Sequence, residues 1–200
     1  MATVFFGAKI LVIGGAGFIG SNMVKRLQKF SPRQIVVVNN LLSAERINMP
    51  DEPEIELIEG SITVDAILSC LQDDLDYIFH LATFHGNQNS IYDPLADHEN
   101  NTLTTLKLFE RIKSFKRLKK AVYSGAGYSV AEKTFNKAHA TQEDAPVLLQ
   151  MYSPYSISNV IGEFYSVYYH RQHCLPIVRA CFQGEGLFKT SFESYLRGII

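Results

Sequence analysis

The chain has 200 residues, which suits one domain, or one domain with a fragment of a second. Hydrophobic residues make up 46% and charged residues 20%, enough apolar material for a real core and too much for a disordered chain. The net charge is −1 and the pI near 6.6, so bulk charge does not direct the chain to nucleic acid or to an anionic membrane surface.

Short apolar runs alternate with longer helical patterns along the chain. Lys9 to Ile13 reads as a strand and Phe18 to Phe30 as a helix. Gln34 to Val38 is a continuous apolar run, the signature of a strand buried on both faces. A loop through Pro50 and Pro53 leads to a third strand, Ile55 to Ile58, and a short helix, Val64 to Leu71. Tyr77 to Leu81 is a fourth strand, Leu103 to Phe115 a helix, and Lys120 to Tyr123 a fifth strand. A loop runs to about Met151. Ser153 then suits an N-cap and Pro154 the first helical position of a long helix. Leu175 to Val178 is a sixth strand, and Phe192 to Leu196 a last short helical pattern. This alternation predicts an α/β domain, a doubly wound parallel sheet with helices on both faces.

Between the first strand and first helix stands Gly14-Gly15-Ala16-Gly17-Phe18-Ile19-Gly20. Gly14 allows the tight turn, Gly17 lets the backbone approach a pyrophosphate, and Gly20 lets the helix pack closely on the strand. Amides at the helix start bind phosphates. The pattern with these flanks predicts a Rossmann-type domain that binds NAD(H) or NADP(H). An acid is expected at the end of the second strand, where it binds the adenosine ribose. Asn39 stands there, 19 residues past Gly20. Asparagine still bonds a ribose hydroxyl but does not repel a 2′-phosphate. NAD is therefore the expected cofactor, and NADP is not excluded.

Laid out this far, the chain resembles the extended short-chain dehydrogenase/reductases, specifically the NAD-dependent nucleotide-sugar epimerases and dehydratases. The resemblance runs from about Ala8 to about Phe182. It rests on the glycine motif, Val38-Asn39-Asn40-Leu41, Gly60-Ser61-Ile62, Phe79-His80-Leu81-Ala82, Asn101 before a helix, and Val122-Tyr123-Ser124. Pro154-Tyr155-Ser156-Ile157-Ser158-Asn159, followed by Gly162-Glu163, completes it. The resemblance implies a Rossmann domain over 1–182 and a smaller domain for a nucleoside-diphosphate sugar, of which 183–200 would be a remnant. It implies cofactor contacts from Gly14, Gly17, Phe18, Ile19, Gly20, Asn39, Asn40, Ser61, Ile62, Leu81, Ala82, Thr83, Tyr155 and Asn159, with His85 close to the same segment. It further implies a homodimer through a four-helix bundle built from the helices at Leu103–Phe115 and after Pro154. Phe164, Tyr165, Tyr168 and Tyr169 lie on the second of these.

In such enzymes a Tyr takes a proton from a sugar hydroxyl while the nicotinamide takes a hydride. A Lys four residues later assists the Tyr, and a Ser or Thr bonds the reacting oxygen. Tyr155 matches the base. The Lys position is Asn159, and the Ser/Thr position aligns with Gly125, beside Ser124. An unassisted tyrosine phenol is about one part in a thousand ionised at neutral pH. A close ammonium supplies about 4 kcal/mol at an intermediate dielectric, and asparagine supplies no charge. The acid usual near the adenine is replaced by Ser61. Where the family has an Asn-x-Tyr-Gly-Pro stretch after the sixth strand, Gln183-Gly184-Glu185-Gly186 follows Phe182. The fold framework is kept while charges and donors for chemistry are lost. Two readings follow: an epimerase or dehydratase with impaired proton transfer, or a noncatalytic protein, either a pseudoenzyme that holds NAD(H) or a dimer partner of an active relative.

The other candidates read as structural. Lys113, Lys116, Arg117, Lys119 and Lys120 read as a solvated helix end. Cys70, Cys174 and Cys181 form no CxxC pair, which suits reduced thiols in the cytoplasm. The N-terminal segment resembles neither a signal peptide nor a membrane span. His170 and His173 share a helix face without a third ligand nearby, so no metal site is expected. His80 reads as a core residue, and Glu132, Glu143 and Asp144 as solvated loop charges.

Overall fold

The structure is a computed structural model that describes residues 4–84, 86–126 and 151–182. Six strands form one sheet in the order β3-β2-β1-β4-β5-β6. They are β1 Lys9–Ile13, β2 Gln34–Asn39, β3 Ile55–Glu59, β4 Tyr77–His80, β5 Lys120–Ala126 and β6 Ile177–Phe182. Every pairing is parallel. The chain winds outward from β1 to β3, returns to β4 on the other side of β1, and winds outward again. This is the expected doubly wound Rossmann-type α/β sheet, with a crevice at the switch between β1 and β4.

Helices α1 Phe18–Gln28, α2 Asp65–Ser69, α3 Gly86–Tyr92, α4 Pro94–Asp97, α5 Thr104–Ile112 and α6 Pro154–His173 cover the sheet. The central strands β1, β2 and β4 are mostly apolar because both their faces are buried. Ile10 and Val12 pack on Met23, Val24 and Leu27 of α1. Leu11 and Ile13 point the opposite way, into a cluster with Leu108, Phe109 and Ile112 of α5 and Tyr169 of α6. Gly162 lets α6 lie against β5, since a Cβ there would sit 2.1 Å from the Tyr123 hydroxyl oxygen.

The amino ends of the strands are tied by Asp76, which is 1% exposed. Its carboxylate accepts from the Lys9 amide at 2.9 Å and pairs with Lys119 at 3.2 Å and Arg117 at 3.4 Å. Burial works to raise its pKa, but the Lys9 amide, Lys119 and Arg117 outweigh it and hold the group below its usual value. Two members of the basic run expected at a solvated helix end thus have a buried partner. Helix α5 stops at Ile112, ahead of them.

The largest difference from the sequence reading lies between β4 and β5. Gly86–Tyr92 is helical although Gly, Asn, Gln and Ser are indifferent helix formers. A continuous helical run then extends from Pro94 through a π-helical turn, His98–Leu103, into α5. Asp93 caps it, accepting from the Ala96 amide at 3.0 Å, and Pro94 occupies the first turn. The Asp-Pro pair was a legible start signal. His85, the 127–150 loop with His139, Glu132, Glu143 and Asp144, and the 183–200 tail with its helical pattern all lie outside the described residues.

His80, at the end of β4, is 2% exposed. The Thr105 hydroxyl donates to the Asn101 carbonyl at 2.7 Å, so it accepts from His80 Nε2 at 3.0 Å. That fixes the proton on Nε2. Among the described residues Nδ1 has no partner, and burial lowers the imidazole pKa from 6.5 to about 4. The unfolded chain therefore binds a proton below pH 6.5 that the folded chain refuses until about pH 4. Folding stability should fall by up to about 3 kcal/mol across that window. Urea midpoints measured from pH 7 to pH 4.5 should show this fall, and His80→Phe should flatten it.

Candidate functional site

A groove of about 360 Å³ opens over the carboxyl ends of β1, β2 and β4. Gly14 forms its floor in the left-handed conformation, φ +82°. A Cβ on Gly14 would lie 2.7 Å from the Ala82 amide nitrogen, and one on Gly20 would lie 2.3 Å from the Gly14 carbonyl oxygen. Both glycines are therefore required by backbone packed on backbone. Gly17 differs: its Cβ would meet only the Gly14 oxygen, at 3.3 Å. Its missing side chain leaves space on the groove side, a cradle for a ligand.

Gly17 is also the N-cap of α1, and neither a side-chain cap nor an acidic residue occupies that first turn. The opening amides of a helix have no acceptor within it and carry the positive end of its dipole. Among the described residues lining the groove, none carries a charge. A diphosphate thus fits here through backbone donors alone.

The groove gathers Gly14, Gly17, Phe18, Ile19, Gly20, Asn39, Asn40, Ser61, Ile62, Leu81, Ala82 and Thr83 along one wall or another. Sequence reasoning missed Leu42, Ser43, Ala44, Gly60, Phe84, Asn100 and Thr104, which also line it. The 42–48 loop reaches the groove because Asn48 Nδ2 donates to the Ala16 carbonyl at 3.0 Å. That is a contact between segments 32 residues apart, without a local sequence signal.

Tyr155, Asn159, Ser124 and Gly125 stand outside this lining, on the first turns of α6 and the end of β5. Ser153 places Tyr155 by capping α6, accepting from the Ser156 amide at 3.2 Å. The Asn159 side chain is 2.7 Å from the Tyr155 carbonyl and donates to it, one turn back along the helix. Tyr123 donates to the Asn159 carbonyl at 3.2 Å. The Ser124 hydroxyl donates to the His80 carbonyl at 2.8 Å, tying β5 to β4.

Asn101 joins the two halves of the site from within the π-helical turn. Its Oδ1 accepts from the Phe84 amide at 2.6 Å and the Thr83 hydroxyl at 3.4 Å. Its Nδ2 donates to Asp97 at 2.9 Å and Ser158 at 3.3 Å. Burial raises the Asp97 pKa, offset in part by hydrogen bonds from Ser158 and Asn101 and by His98.

The NAD dependent epimerase/dehydratase family model matches residues 10–195. The chain belongs to this family. Among solved structures, this epimerase/dehydratase-family chain is similar to the Bordetella bronchiseptica enzyme WbmF in complex with NAD+. The two are 58% identical with a TM-score of 0.80, over 90% of this chain and 51% of that one. The epimerase Mth375 of Methanothermobacter thermautotrophicus is 32% identical with a TM-score of 0.82, over 90% and 53%. A curated relative, the dTDP-D-glucose 4,6-dehydratase of Dictyostelium discoideum, is 30% identical over 86% of this chain and 43% of its own length. This family member spans about half the length of the relatives it matches.

The glycine geometry separates folding from ligand binding. Gly20→Ala should destabilise the chain by about 3 kcal/mol or unfold it, because backbone atoms cannot yield. Gly17→Ala should leave the urea midpoint within about 1 kcal/mol of the parent while weakening NADH binding at least about tenfold. Denaturation and fluorescence titration of the two variants check both.

Proposed function

We propose that the chain holds NAD(H) in the β1–β4 groove and is a nucleotide-sugar epimerase/dehydratase-family protein with impaired catalysis. The observation that carries the reading is the uncharged groove with an uncapped α1 and an open Gly17. The similarity to WbmF, a structure of which holds NAD+ and UDP together, supports the cofactor and a nucleoside-diphosphate sugar as partner. Bound NAD supplies a hydride acceptor for a sugar carbon. Gly14, Gly17, Phe18, Ile19 and Gly20 hold the diphosphate; Asn39, Asn40, Ser61 and Ile62 hold the adenosine; Leu81, Ala82 and Thr83 line the path toward the nicotinamide.

Tyr155 takes the role of proton acceptor, with Asn159 and Ser124 beside it. The Asn159 amide is spent on the Tyr155 carbonyl and brings no positive charge. Ser124 spends its proton on the His80 carbonyl, and Gly125 has no hydroxyl to offer. These bonds favour a second reading, a noncatalytic NAD(H)-binding protein that serves as dimer partner of an active homologue. Both exposed cysteines, Cys70 and Cys174, are free, which suits a cytoplasmic protein. No helix among the described residues is long and apolar enough to cross a membrane.

Helix α6 supports the homodimer. Ile157, Phe164 and Tyr168 are 46%, 58% and 50% exposed, and with half-buried Ile161 they form an apolar stripe at helical spacing. Tyr92 of α3 and Leu95 of α4 are exposed as well, at 93% and 76%. A stripe of this kind marks a packing surface. Its closure in pairs with α5 would make the four-helix bundle that the family resemblance implies.

NADH should bind the chain, and turnover of UDP- or dTDP-hexoses should be weak yet exceed that of Tyr155→Phe; turnover equal to that variant would rule out the enzyme reading in favour of the noncatalytic one. Failure of NADH to bind at millimolar concentration would sink the cofactor reading. The double variant Gly125→Ser, Asn159→Lys should raise turnover at least about a hundredfold if only the proton chemistry was lost. In sedimentation, Phe164→Glu with Tyr168→Glu should convert a dimer to monomers; a monomeric parent would refute the bundle.

A further inference from the structure

We infer that the adenosine end of the groove accepts the 2′-phosphate of NADP(H) as well as the free ribose of NAD(H), through donors presented by Asn39, Asn40 and Ser61. This rests on the dinucleotide reading above and assigns its specificity.

Asn39 Oδ1 accepts from the Leu41 amide at 2.8 Å, and Asn40 Oδ1 accepts from the Leu42 amide at 3.3 Å. A backbone N–H demands an acceptor, so these contacts fix which amide atom is oxygen. Two successive turns therefore hold each Oδ1 on the backbone, while each Nδ2 carries only donors. Ser61 is biased the same way. Its oxygen accepts from the Thr63 amide at 3.2 Å and the Thr63 hydroxyl at 2.8 Å, so its own hydrogen remains to be donated.

An acid at the end of β2 discriminates by accepting from the ribose hydroxyls and repelling a phosphate. At Asn39 and Ser61 the polarity is reversed: both now donate, and a phosphate only accepts. Glu59 is in register with Asn39 across the sheet. Arg46 faces it at 3.7 Å, with its side chain 69% exposed. A long, solvated pair of this kind is weakly held. Arg46 offsets the Glu59 charge, so that Glu59 repels a phosphate less.

The test is titration of the 200-residue chain with NADH and NADPH, read by nucleotide fluorescence at one fixed ionic strength. The two dissociation constants should agree within about thirtyfold. Asn39→Asp should raise the preference for NADH over NADPH at least about tenfold, read as the ratio of the two dissociation constants. Arg46→Ala, at an exposed position, should weaken NADPH and spare NADH. A parent chain that prefers NADH by more than about thirtyfold overturns the inference and leaves the NAD reading standing. Equal response of both nucleotides to Asn39→Asp overturns the assignment to that residue. Binding of neither nucleotide overturns both readings together.

Discussion

The passage from β1 to α1 is packed backbone against backbone, and the rest of the molecule is arranged around that contact. Side chains at Gly14 and Gly20 would overlap the Ala82 and Gly14 main chains. Their absence lets α1 begin directly above the end of β1, at the switch point of the sheet. The Val38 and Ile13 carbonyls then receive the Gly14 and Leu81 amides, at 2.8 and 2.9 Å. Beyond them, residues of the 14–20 and 81–84 segments line the groove. Helix amides at this position offer an anion donors that cannot be neutralised by pH or replaced by a different side chain.

A second, polar element connects this groove to α6. All four hydrogen-bonding positions of the Asn101 side chain are used, two toward the 83–84 wall and two toward Asp97 and Ser158. The π-helical turn at His98–Leu103 sets Asn101 at that junction, as π turns often do at functional sites. Removing one member would leave buried polar groups unsatisfied, a cost larger than the bond itself. Helix α6, with Tyr155 and Asn159 on its first turns, is thereby registered against the cofactor wall.

The two halves of the site differ in what their chemistry requires. Diphosphate binding needs only backbone shape and survives any side-chain change that leaves the glycines. Proton transfer needs a charge near the phenol, and Asn159 has turned its amide onto the helix that carries it. Asn39 and Ser61, which also line the groove, are neutral as well.

The sequence determined the sheet. Continuous apolar runs such as Gln34 to Val38 have no polar face, so they can only be strands covered on both sides. The glycine spacing determined where a dinucleotide would sit, because the absence of Cβ is a local property of the chain. Ser153 and Pro154 marked the start of α6 for the same local reason. Tertiary structure alone decided what depends on distant partners. It made helix of Gly86–Tyr92 by packing it beside α6, where Asn87 accepts from Ser153 at 2.8 Å. It took Arg117 and Lys119 from solvent to Asp76, 41 and 43 residues away in the chain. It chose which amide atoms of Asn39, Asn40 and Asn159 face the site. An amide side chain carries a donor and an acceptor together, and only the neighbours supplied by folding select between them.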